Sequence, residues 1–94
     1  MSALDSEAVF RARLHDFHLA GLVQDFVDKG WTTFGNFAFA SAYVPGTGAA
    51  EDAFVSDVIT PLLGGDPADA SKPAVRRLFY EAYTLAAADL RWWL

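Results

Sequence analysis

The sequence predicts an all-α protein, a compact bundle of about five helices that ends in a long C-terminal helix. Apolar residues recur at intervals of three and four along most of the chain, as they do on the buried face of a helix. No stretch alternates apolar and polar residues over more than a few positions, as a strand would. Two segments with Pro and Gly, residues 44–48 and 64–67, divide the chain into three blocks.

The first block predicts three short helices. Phe10, Leu14 and Phe17 share one face of the first helix, and Asp5 or Ser6 is a suitable N-cap. Side-chain oxygens at that position accept a hydrogen bond from an amide that the helix leaves without a partner. The first helix therefore has both a start signal and a buried face.

Stop and start signals separate the second and third helices. Leu22 and Phe26 continue the apolar pattern, and Lys29-Gly30 ends it with a cation in the last turn followed by glycine. Thr32 or Thr33 then caps a third helix. The apolar residues of that helix are Phe34, Phe37 and Ala38.

The second block predicts one helix over residues 49–63. Phe54 and Val58 lie on its buried face. Pro61 has no amide hydrogen, and its ring clashes with the carbonyl four residues before it. We therefore expect the helix to stop near Ile59 or to kink there.

The third block predicts a single turn at residues 66–69 and then a long helix from Pro73 to about Trp93. Glu81 follows Arg77 by four residues, which favours a weak surface ion pair between them. The apolar stripe of this helix is Val75, Phe79, Ala82, Ala86, Leu90 and Trp93. The polar face opposite the stripe carries Arg76, Arg77, Glu81 and Asp89.

Composition indicates one folded domain over residues 1–94, and a piece of a longer polypeptide remains an alternative. Hydrophobic residues make up 53% of the chain and aromatic residues 15%, which is unlike disordered proteins. The absence of cysteine excludes disulfides and thiolate metal sites. We find no signal-peptide pattern and no apolar run of about 20 residues. We therefore expect a soluble, intracellular protein.

The charge distribution argues against nucleic acid as a ligand. The net charge is −5, and residues 1–65 carry eight acidic and three basic residues. Residues 66–94 carry four of each. A chain this acidic is repelled by phosphate backbones unless its bases cluster.

Catalytic and cofactor patterns are weak throughout the chain. His15 and His18 are three residues apart on one helix and are the only metal-ligand candidates, but no third ligand follows at a typical spacing. Neither histidine has a serine and a carboxylate at a recognisable spacing. Gly46-Thr47-Gly48 resembles a phosphate loop only in its two glycines. We therefore expect no catalytic site and no cofactor.

Charge segregation provides the first candidate interaction surface. Acidic residues collect on the fourth helix and basic residues at the start of the fifth. If the two groups lie on opposite surfaces, two copies can dock head to tail. A solvated surface or an intramolecular contact is the alternative. The candidates are Glu51, Asp52, Asp57, Lys72, Arg76 and Arg77.

The C-terminal end provides the second candidate surface. Trp92 and Trp93 are adjacent and therefore lie about 100° apart on a helix, so one neighbour cannot bury both. One tryptophan can complete the buried stripe, and Trp92 or Leu94 is then a candidate contact for a partner. The alternative is a final turn that folds back over the core.

One sequence pattern consists of Leu19-Ala20-Gly21-Leu22, Phe26 and Gly30-Trp31-Thr32-Thr33-Phe34. With these residues, the stretch of about residues 13–40 resembles the opening of sterile alpha motif (SAM) domains. The spacing is one turn shorter than in the family, and the acidic block typical of the family before its fourth helix is missing. The resemblance implies a SAM-like bundle of five helices that binds proteins, often head to tail, and in some members RNA.

Further blocks look like segments of protist proteins that have no assigned activity, some of which carry mobile-element domains further along. This resemblance implies an accessory domain of a larger polypeptide. The blocks are Gly30-Trp31-x-Thr33-Phe34, Phe37-Ala38-Phe39, Tyr43-x-Pro45-Gly46, Pro61-Leu62-Leu63-Gly64 and residues 76–84.

We therefore expect a non-catalytic α-helical interaction module that self-associates or docks on a protein partner. One alternative is a nucleic-acid-associated accessory domain, which would need Lys72, Arg76, Arg77 and Arg91 on one face. The other is an enzyme whose site rests on the two histidines.

Overall fold

A computed structural model describes residues 5–44, 52–64 and 71–93, with side chains of the last helix up to residue 88. These residues form five α-helices and no strand, which confirms the predicted all-α bundle with its long C-terminal helix. The predicted turn at residues 66–69 lies outside this description. The helices are α1 (Glu7–Asp16), α2 (Val23–Asp28, after a 3₁₀ turn at Ala20–Leu22), α3 (Phe34–Ala38), α4 (Asp52–Phe54, Val55–Ile59 and Thr60–Leu63) and α5 (Lys72–Trp93).

Two of the predicted N-caps form as expected. The Ser6 hydroxyl accepts a hydrogen bond of 3.2 Å from the Val9 amide at the start of α1. The Thr33 hydroxyl accepts one of 3.1 Å from the Asn36 amide at the start of α3. Each bond satisfies one amide that the helix itself cannot.

The predicted stop after α2 also forms. Gly30 has φ 78°, the left-handed conformation that glycine adopts without a steric penalty. Its amide donates to the Val27 carbonyl at 3.0 Å, and the Trp31 amide donates to the Phe26 carbonyl at 2.9 Å. This pair of bonds is a Schellman motif, and the Phe26 and Trp31 rings meet edge to face, 6.0 Å apart.

The fourth helix does not stop near Ile59, contrary to one of the two sequence expectations. It continues through Pro61 to Leu63, with a π-helical segment at Val55–Ile59. The Thr60 amide reaches back five residues to the Val55 carbonyl. A π-turn widens the helix, which leaves room for the proline ring beside the carbonyl four residues earlier. The helix therefore accommodates Pro61 by widening the preceding turn, and it does not end there.

The core is mostly aromatic and is centred on Phe37 of α3, which packs against α5. Its ring lies 5.2 to 5.9 Å from those of Phe10, Phe26, Trp31 and Phe79. Aromatic pairs at this spacing contribute beyond the apolar area that they bury. The largest fully buried side chains are Phe10, Phe26, Phe34, Phe37, Phe54, Phe79, Leu14, Leu19, Leu78, Val58 and Val75.

Candidate binding groove on the last helix

The outward face of α5 lines an open groove of about 410 Å³. Pro73, Arg76, Arg77 and Tyr80 follow one another at intervals of three, one and three residues, so they share one side of the helix. Glu81 also lines the groove. Tyr80 remains 53% exposed. The groove thus combines two guanidinium groups with an aromatic ring and a proline.

Glu81 is not the partner of Arg77, contrary to the sequence expectation. Its two carboxylate oxygens accept hydrogen bonds from Arg13 of α1, at 3.0 Å from Nε and 2.7 Å from Nη2. The Glu81 side chain is 31% exposed. It is therefore partly buried, although the sequence predicts it on the polar face of the last helix. Bidentate geometry makes this pair stronger than a typical surface ion pair.

Arg13 is also bound to Asp16, one turn along α1, at 3.1 Å from Nη1. Hydrogen bonds to Glu81 and then to Asp16 raise the pKa of Arg13 above its ordinary value. The positive charge of Arg13 is therefore compensated within the protein.

Phe17 lies beside two guanidinium groups. The Arg13 Cζ atom is 4.8 Å from the ring centroid and the Arg77 Cζ atom is 5.5 Å from it. Both distances are within the range of cation–π attraction. Phe17 was predicted for the core face and is half-buried instead, at the junction of α1 and α5. Unlike Arg13, the Arg77 side chain forms no ion pair among the residues described here.

The acidic candidates on α4 face solvent. Asp52 and Asp57 are both exposed, and neither forms an ion pair within the described ranges. Among the described residues, neither carboxylate forms the intramolecular ion pair that is the alternative to an acidic docking surface. Val55, which lies between them in sequence, is 41% exposed. Glu51 lies outside the described residues.

The two histidines take structural positions at the end of α1. Both are exposed, and His18 has φ 61°. The His18 amide donates to the His15 carbonyl at 3.0 Å, and the Leu19 amide donates to the Leu14 carbonyl at 2.7 Å. His18 thus holds the position that glycine usually takes in a Schellman motif. Within the described part of the chain, no group of three potential metal ligands comes together.

The remaining sequence candidates are only partly described. Lys72 is half-buried at the first turn of α5. Trp92 and Trp93 belong to α5, but their side chains lie outside the described residues, as does that of Arg91.

One exposed ring was missed by sequence reasoning. Phe39, directly after α3, is 72% exposed, whereas Phe37 is fully buried. Residues two apart near a helix end point to opposite sides, and this spacing was the signal available in the sequence.

Among the described helices, none combines the length and apolar character needed to cross a membrane. Comparisons with protein-family models, with curated proteins and with solved structures each gave no match for this chain.

Proposed function

We propose that this protein is a non-catalytic α-helical interaction module that self-associates head to tail. The acidic face of α4 on one copy, with Asp52 and Asp57, docks in the α5 groove of the next. The observation that carries this proposal is the guanidinium of Arg77, which lines a groove and has no ion pair among the described residues, in a chain of net charge −5. An acidic protein surface is the ligand that such a groove attracts.

Charge complementarity between exposed residues supports this arrangement. Arg76 and Arg77 are exposed on α5, and Asp52 and Asp57 are exposed on α4. Because the two surfaces differ, the contact is heterologous, and each copy keeps one surface open for a further copy. The resemblance of about residues 13–40 to SAM domains, which often associate head to tail, points in the same direction.

Light scattering from low to high micromolar protein tests the proposal. We expect the solution mass to rise with concentration at about 0.01 M salt and to fall back towards the monomer at about 1 M salt, where screening shortens the Debye length from about 30 Å to about 3 Å. The double variant Arg76→Glu/Arg77→Glu should remain monomeric at low salt, because like charges then face each other.

A matched control carries the same change in net charge outside the groove. Arg11 and Lys29 are exposed on α1 and at the end of α2, so the variant Arg11→Glu/Lys29→Glu should associate like the wild type. A wild-type mass that stays monomeric at every concentration contradicts the proposal. Equal loss of association in both double variants also contradicts it, since only net charge would then matter.

Nucleic-acid binding is the competing outcome of the same experiment. A monomeric wild type that binds single-stranded RNA, with an affinity that falls steeply with salt and is abolished by Arg76→Glu/Arg77→Glu, would assign the groove to phosphates. The net charge of −5 disfavours a densely charged phosphate backbone and so favours a protein partner.

A further inference from the structure

The two arginines beside Phe17 differ in what else they contact. The Arg13 guanidinium donates to Glu81 and Asp16, which use its donors and compensate its charge. The Arg77 guanidinium lies 5.5 Å from the same ring and has no ion pair among the described residues. Within the described part of the chain, a carboxylate therefore uses donors of Arg13 but none of Arg77.

A guanidinium that packs against an aromatic ring is prepared for a ligand. The ring restricts the side chain, so less rotamer freedom is lost when a partner binds. The planar group still presents donors in the fork that matches a carboxylate. Arg77 also lines the α5 groove, so those donors border the surface on which a partner would lie.

We infer that Arg77 is the residue by which the groove recognises a carboxylate, and that Phe17 is the positioning residue that holds its guanidinium for this contact. The inference rests on the proposed function, because the carboxylates it assigns are Asp52 and Asp57 of a second copy. Both are exposed and have no ion-pair partner within the described part of their own chain, so their charge is available to another molecule.

Three substitutions test separately how the aromatic ring, the planar guanidinium and the positive charge contribute to self-association. Phe17→Leu keeps apolar bulk without a ring, Phe17→Tyr keeps the ring face, and Arg77→Lys keeps the charge without the planar fork. We expect Phe17→Leu and Arg77→Lys to weaken self-association about two- to fivefold, the range for an exposed cation–π contact. Phe17→Tyr should associate like the wild type.

Nuclear magnetic resonance of the dilute monomer tests the positioning step without any partner. The aliphatic δ protons of Arg77 should show ring-current shifts in the wild type and in Phe17→Tyr, and these shifts should vanish in Phe17→Leu. A wild-type spectrum without such shifts overturns the inference.

The outcomes distinguish this inference from the proposed function. Loss of the ring-current shifts in Phe17→Leu with unchanged self-association overturns the role of Phe17 and leaves the proposed function intact. A wild type that never self-associates overturns the proposed function and excludes a second copy as the occupant. Titration with a hexaglutamate peptide then decides the role of Arg77: tighter binding by the wild type than by Arg77→Lys supports carboxylate recognition, and equal binding refutes it.

Discussion

Arg13 and Glu81 are 68 positions apart in the chain, yet their side chains form two parallel hydrogen bonds of 3.0 and 2.7 Å. The pair joins the first helix to the last. It also places the Arg13 guanidinium over Phe17, on the side of the molecule where Arg77 meets the same ring. One ion pair therefore organises the junction next to the α5 groove.

A double-mutant cycle measures the strength of this junction. Urea unfolding of Arg13→Ala, Glu81→Ala and the double variant should give a coupling energy of about 1 kcal/mol, because bidentate geometry strengthens a pair whose side chains are about one-third exposed. A coupling energy near zero would show that the pair does not hold the two helices together.

The same cycle has an expected pH dependence. The pKa of Arg13 is raised in the folded protein, so its contribution to stability is fully present below the ordinary arginine pKa and is lost only as pH rises above the folded value. Between about pH 7 and about pH 10 the coupling energy should therefore stay constant. A fall over this range would contradict the assignment.

His18→Gly should stabilise the protein. A residue with a side chain at φ 61° is strained, and glycine adopts this conformation freely. We expect the free energy of unfolding to rise by about 0.5–1 kcal/mol, after allowance for the greater freedom of glycine in the unfolded chain. His15→Gly is the matched control and should destabilise by a similar amount, because His15 lies within α1.

Phe37 and Phe39 should differ sharply in their contribution to stability. Phe37→Ala removes the ring at the centre of the aromatic core and should lower the free energy of unfolding by about 3–5 kcal/mol. Phe39→Ala should change it by no more than about 0.5 kcal/mol, because that ring is 72% exposed. Similar losses of stability from both substitutions would contradict a core centred on Phe37.

Local signals explain why much of the fold could be predicted from the sequence. The stop at Lys29-Gly30 and the caps at Ser6 and Thr33 depend on residues within five positions of each other. The buried stripe of α5 follows from helical spacing, and Val75, Phe79, Ala82 and Ala86 are buried as expected. These features need no knowledge of tertiary packing.

The junction beside the groove could not be predicted, because it depends on how distant helices meet. The local rule for charges four residues apart pairs Glu81 with Arg77, but tertiary packing gives Glu81 a bidentate partner in Arg13. Phe17 has core spacing, yet it lies where α1 passes α5 and contacts two cations. The sequence could place Arg77 on a polar face but could not show that a ring holds it.

The solution mass of an equimolar mixture of two variants tests the central claim most directly. Arg76→Glu/Arg77→Glu blocks the groove and leaves the acidic face, whereas Asp52→Asn/Asp57→Asn neutralises the acidic face and leaves the groove. Each variant alone should be monomeric, and the mixture at low salt should reach the mass of a dimer and no more, since each copy offers one intact surface. A mixture that remains monomeric at high micromolar concentration would contradict docking of the α4 face in the α5 groove.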